Sequence, residues 1–114
     1  MQATFRVQIV ARHLFGPQTD SALGQLLRYA AGPEAERVHL AVLKLSGGDI
    51  EKLERHVEVA RTDFRDVVSP AEYPRQDRLG SPKGPLSRIR WRIASWLDAR
   101  EYAAWLSQFP LLNG

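Results

Sequence analysis

The clearest pattern along the chain is a row of apolar residues at Ile50, Leu53, Val57, Ala60, Phe64 and Val67, stepping 3, 4, 3, 4, 3. That spacing keeps every member on one helical face and predicts a helix over 50–68. Glu51 and Arg55, four apart in the favourable order, support it from the solvent side. Upstream, only His39 and Lys44 are polar between Val38 and Leu45. A helix over 33–45 built on that run is apolar nearly all round and belongs at the centre of the fold. Glu34 and Glu36 fall in its first turn, where acids complement the helix dipole. Between the two helices lies Ser46-Gly47-Gly48-Asp49. Glycine takes the left-handed stop and Asp49 caps the next helix. Segments 33–45 and 50–68 thus form an antiparallel helical hairpin.

The flanking segments are less uniform. In 4–15, Phe5, Val7 and Ile9 alternate as in a half-buried strand, while Phe5, Ile9 and His13, with Val10 and Leu14, repeat as on a helix. Helix is the expectation, since a lone strand needs a partner. Gly16-Pro17 breaks the chain. Thr19, Asp20 or Ser21 caps a short helix with Leu23, Leu26, Leu27 and Ala30 as its stripe, running to about Ala31. Gly32 then ends one helix and Pro33 opens the next. Segment 69–85 holds Pro70, Pro74, Gly80, Pro82, Gly84 and Pro85 and reads as a long loop. Pro85 starts a helix in which Ile89, Ile93, Trp96 and Leu97 share a face. Asp98 and Glu101 stand at capping-box spacing, so a new helix begins at 99, lined by Tyr102, Trp105, Leu106 and Phe109 and ended by Pro110.

Composition narrows the class. The 114 residues are 44% hydrophobic and 25% charged, ordinary globular values that exclude wholesale disorder and fibre repeats. The expectation is a single all-α domain of four to five helices around the hairpin. With no cysteine, disulfides, zinc–thiolate sites and cysteine nucleophiles are excluded. Arg6 and Arg12 interrupt the apolar start, which lacks the pattern of a signal peptide, and no apolar run is long enough to span a bilayer. The expected location is cytoplasmic, with no membrane partner.

Charge changes the picture more than composition does. The formal net charge is +3, yet residues 1–74 carry −1 and residues 93–114 carry −1. All the excess lies in 75–92, where Arg75, Arg78, Lys83, Arg88, Arg90 and Arg92 face Asp77 alone. Cations at 88–92 sit near a helix start, where the dipole disfavours them, which points to an anion or an acidic surface meeting them. The competing expectation is a solvating segment whose arginines pair with the acids of the 50–68 helix.

The run RVHLAVLKLSGGD at 37–49, EKLE at 51–54, RTDFRD at 61–66, AEYP at 71–74 and the late spacing of Asp98, Tyr102, Trp105 and Leu106 resemble a family of short bacterial proteins of uncharacterised function. The resemblance covers about residues 37–106. It implies a helical fold in a bacterial cytoplasm, and no activity, ligand or site residue.

No catalytic constellation emerges. His13, His39 and His56 lack metal-helix spacing to one another. Glu54 and Glu58 share a face, but a carboxylate metal site needs a second pair on a facing helix, which only Glu34 and Glu36 offer. The glycine turns at 46–48 and 80–84 match neither a phosphate loop nor a nucleophile elbow. Pro82-Lys83-Gly84-Pro85 is a bare P-x-x-P, read as linker. No cofactor and no metal are expected. Trp91, Trp96, Tyr102, Trp105 and Phe109 are dense, and fill a core or anchor an interface.

The sequence therefore predicts a non-enzymatic interaction module. It binds a protein partner, or a second copy of itself, through a C-terminal aromatic and basic face of Arg75, Arg78, Lys83, Arg88, Arg90, Trp91, Arg92 and Tyr102. The alternative is a nucleic-acid-binding accessory protein using 75–92, with binding that falls steeply with salt.

Overall fold

The computed structural model describes residues 3–30 and 34–109. Every regular element among them is helical: α1 Phe5–Phe15, a 3-10 turn Gly16–Gln18, α2 Thr19–Leu26, α3 Ala35–Ser46, α4 Ile50–Thr62, α5 Arg65–Glu72, α6 Pro74–Leu79 and α7 Pro85–Ser107. The 4–15 segment is helix, and Thr4 caps it through Val7 N. Its inward face is Val7, Val10, Ala11 and Phe15, so helical spacing prevails over strand alternation. The expected stop and start at Gly32 and Pro33, and the stop at Pro110, lie outside the described residues.

α3 is the centre. Eight of its 12 residues are buried, His39 among them, and it packs on α1, α4 and α5. Gly47 stops it in the left-handed conformation (φ 57°), and Asp49 caps α4 by accepting from Glu51 N and Lys52 N at 2.9 and 3.1 Å. The buried imidazole of His39 donates to the Tyr29 carbonyl, and desolvation holds its pKa below the ordinary histidine value.

Three sequence expectations are corrected. The 50–68 helix is two helices. Asp63 takes an extended conformation, and its carboxylate accepts from Arg65 N at 3.0 Å and pairs with the Arg65 guanidinium, starting α5 afresh. The stripe still faces inward: Leu53, Val57, Ala60 and Val67 are buried. The 69–85 loop is also mostly helix, since α5 runs through Pro70 to Glu72 and α6 opens on Pro74. Proline suits the first position of α6, where its missing N–H has no partner to lose. In α5, burial of Val67, Val68 and Ala71 outweighs the one backbone bond that Pro70 lacks. Arg37 ties α3 to Glu72 with two bonds of 2.9 Å, and Lys44 donates to the Ala71 carbonyl at 2.6 Å. Only 80–84 remains as loop. The third correction is the new helix at 99: α7 runs unbroken for 23 residues. The all-α expectation holds, and the seven helices among the described residues are close to the expected four to five: one helix divides, one forms inside the supposed loop and two C-terminal ones are a single helix.

Candidate interaction surface

α7 carries two apolar rows. At 100° per residue, Trp91, Ala94, Asp98, Tyr102 and Trp105 cluster on one side, with Phe109 just past the helix end, and Leu86, Ile89, Ile93 and Trp96 lie about 180° away. The first row faces the body. Ala94 and Asp98 are buried, and Trp105, Leu106 and Phe109 pack against the core. Trp105 and Phe109 meet edge to face at 5.2 Å, and Phe109 meets His13 of α1 at 5.5 Å. Among the described residues nothing covers the second row: Leu86 is 77% exposed, Ile89 55%, Ile93 54% and Trp96 58%.

Asp98 fastens this side of α7 to the start of α6. Its side chain is wholly buried in mid-helix. Its two oxygens accept from Arg75 N and Gln76 N at 3.1–3.2 Å and from the Arg75 guanidinium at 3.1 Å. The start of α6, which has no side-chain cap of its own, is thus capped from α7. The residue at capping-box spacing does cap a helix, but one that precedes it by more than 20 residues. Arg75 is drawn into the same clamp. It pairs with Glu101 and then Asp98, and these bonds raise its pKa.

The sequence-predicted site residues therefore separate. Arg75 is engaged by Asp98 and Glu101. Tyr102 is half-buried near Lys44 and Trp105, on the body side, with its hydroxyl pKa pushed up to about 12, chiefly by burial. Trp91 is 37% exposed and lies across loop 80–84, lining a shallow cleft with Tyr73, Asp77 and Pro82 on the side of α7 away from Ile89. Arg78, Lys83, Arg88, Arg90 and Arg92 are all exposed, and none forms an ion pair among the described residues. The acids of the 50–68 segment do not take them up: Glu58 pairs with Arg28 and Arg61 instead.

Two of these arginines border the exposed row. By helical position Arg90 runs along one side of it and Arg92 along the other. Arg100 closes one end, its guanidinium 4.7 Å from the Trp96 ring centroid. Beside Ile93 the row opens into a groove of about 390 Å³ between α6 and α7, lined by Arg75, Arg78, Leu79, Arg90, Ile93 and Leu97, with Ala94 at its base. The sequence grouped Ile89, Ile93, Trp96 and Leu97 on one face and left Trp96 open between core and interface, while Leu86 was not singled out. The signal was the second row itself, because one helix in a single-layer packing needs only one.

Among the described residues no three His, Asp or Glu side chains gather as a metal-ligand set, and no helix is long and apolar enough to cross a membrane. Comparisons of the chain with family models, curated proteins and solved structures found no match.

Proposed function

We propose that this chain is a non-enzymatic interaction module that binds a protein partner through the outer face of α7. The observation that carries the reading is the row of Leu86, Ile89, Ile93 and Trp96, each more than half exposed, on a helix anchored from its opposite side. Exposed apolar residues in a contiguous row rimmed by polar groups mark protein contacts more often than they mark solvated surface. Trp96 beside Arg100 is the aromatic–arginine pairing typical of interface anchors. Nucleic acid fits this face less well. Phosphates are met by the arginines, but of this row only Trp96 offers a surface for base stacking, and Leu86, Ile89 and Ile93 offer none.

The test is a titration of the purified chain, followed by tryptophan fluorescence and sedimentation. The ligands are an amphipathic helical peptide with a leucine row between serine flanks, and single- and double-stranded nucleic acid at low and near-physiological salt. The expected result is peptide binding, or self-association with rising protein concentration, that Ile93→Asp abolishes with the circular dichroism spectrum unchanged. Salt-sensitive nucleic-acid binding that survives Ile93→Asp, with neither peptide binding nor self-association, overturns the proposal.

A further inference from the structure

Resting on that reading, we propose that the occupant of the α6–α7 groove is an amphipathic helix of a partner protein whose apolar row is flanked by acidic residues. Shape argues for a helix. Leu86 to Trp96 is about 15 Å of α7, stepping 3, 4, 3 as a coiled-coil seam does. Leu79 and Arg78 of α6 form the second wall of the groove, so a helix laid along Ile93 and Leu97 touches both walls. A flat lipid surface reaches the crest of the row and not the groove.

Charge argues for acid. In the heptad that places Leu86, Ile89, Ile93 and Trp96 at the seam, Arg90 and Arg92 occupy the two flanking positions. These are the positions from which one helix pairs with the charges of the next. No Asp or Glu occurs between Asp77 and Asp98, and none of Arg78, Arg90 and Arg92 is paired among the described residues. A second copy laid antiparallel on this face brings Arg90 to Arg90 and Arg92 to Arg92, and in either direction this face offers no acid to them. Glutamates on the partner helix meet Arg90, Arg92 and Arg78 at the rim of an apolar seam.

Three peptides with one leucine row and glutamate, serine or lysine flanks distinguish the possibilities. The readouts are tryptophan fluorescence and isothermal calorimetry, at low and high salt. The expected order is glutamate over serine over lysine, with the glutamate peptide about tenfold tighter than the serine peptide at low salt and the gap closing as salt rises. The double variant Arg90→Glu, Arg92→Glu reverses the order in favour of the lysine peptide, which a merely unfolded variant does not do. Ile93→Asp abolishes binding of all three. Equal binding of the three peptides, still lost in Ile93→Asp, overturns the acidic partner and leaves the interaction surface standing. So does self-association that depends on Ile93 without peptide binding. Binding to anionic phospholipid vesicles or to nucleic acid, with no peptide bound and no self-association, overturns both.

Discussion

α3 and α7 are both rich in apolar residues, yet α3 buries eight of its 12 residues and α7 buries two of its 23. α3 lies between α1, α4 and α5 and has neighbours all round. α7 has the body of the molecule on one side only and carries a second apolar row on the other. A helix records in its sequence how many apolar faces it has. Whether each face is met by its own chain depends on how many neighbours the fold brings there. The radius of gyration, 15.1 Å against about 13 Å for a compact domain of this length, agrees with a long helix set along one side.

The contrast is tested most severely by truncation at one position in each helix. Leu43→Ala in α3 removes a side chain with no exposure and costs about 3 kcal/mol in urea unfolding. Ile93→Ala in α7 changes stability by less than about 0.5 kcal/mol, because more than half of the residue's surface is already in water. A cost at Ile93 near that at Leu43 means that the outer row is covered in the isolated chain, and the interaction surface is lost as a reading. Next in size is Asp98→Ala, at about 2 kcal/mol, which leaves the Arg75 and Gln76 amides without their acceptor. Hydrogen exchange at those two amides rises in the variant while that of α3 amides moves only with global stability. Unchanged exchange there removes Asp98 as the fastener of α6 to α7.

The pH dependence is a smaller effect and belongs to the α3 side. Burial lowers the His39 pKa below its unfolded value of 6.5, so the unfolded chain takes up the proton first. Stability is full above about pH 6.5 and declines as pH falls through the interval between the unfolded and the lower folded value. His56, also lowered by desolvation and by Arg55 and Lys52, acts with the same sign. His39→Gln flattens this slope relative to the unmodified chain in denaturation series at stepped pH; an identical slope shows that His39 is not its source. The smallest expected effect is Trp96→Ala, within about 0.5 kcal/mol in stability, but with loss of the fluorescence response to a bound helix.

Much of the fold was legible in the chain because local physics sets it. The 3–4 spacing from Ile50 to Val67 identified the inward face, and Gly47 and Asp49 marked the hairpin turn with their own backbone and side-chain chemistry. The break at Asp63 was missed because apolar periodicity runs straight through it. The short polar signal, an Asp able to bond the amide two residues on, was outweighed in the reading by the stripe. Pro70 and Pro74 suggest loop, although α5 runs through Pro70 and Pro74 stands where α6 begins, whereas Pro85 opens α7 as its position predicts. Of the basic segment, the count of charges was legible and their disposition was not. Arg75 is turned inward to acids 23 and 26 residues away, while Arg90 and Arg92 remain free to meet an outside partner.

The sequence by itself determined that the chain is helical, where its central helix lies and that its positive charge is concentrated in 75–92, because each rests on residues near one another along the chain. Only the tertiary structure decided that Asp98 caps a helix remote from it, that Trp91 and Tyr102 face different surroundings from Trp96, and that Leu86, Ile89 and Ile93 stay in water. Burial is a property of what the rest of the chain brings to a face. A helix with two apolar rows and one neighbour leaves one row bare, and no local pattern says which.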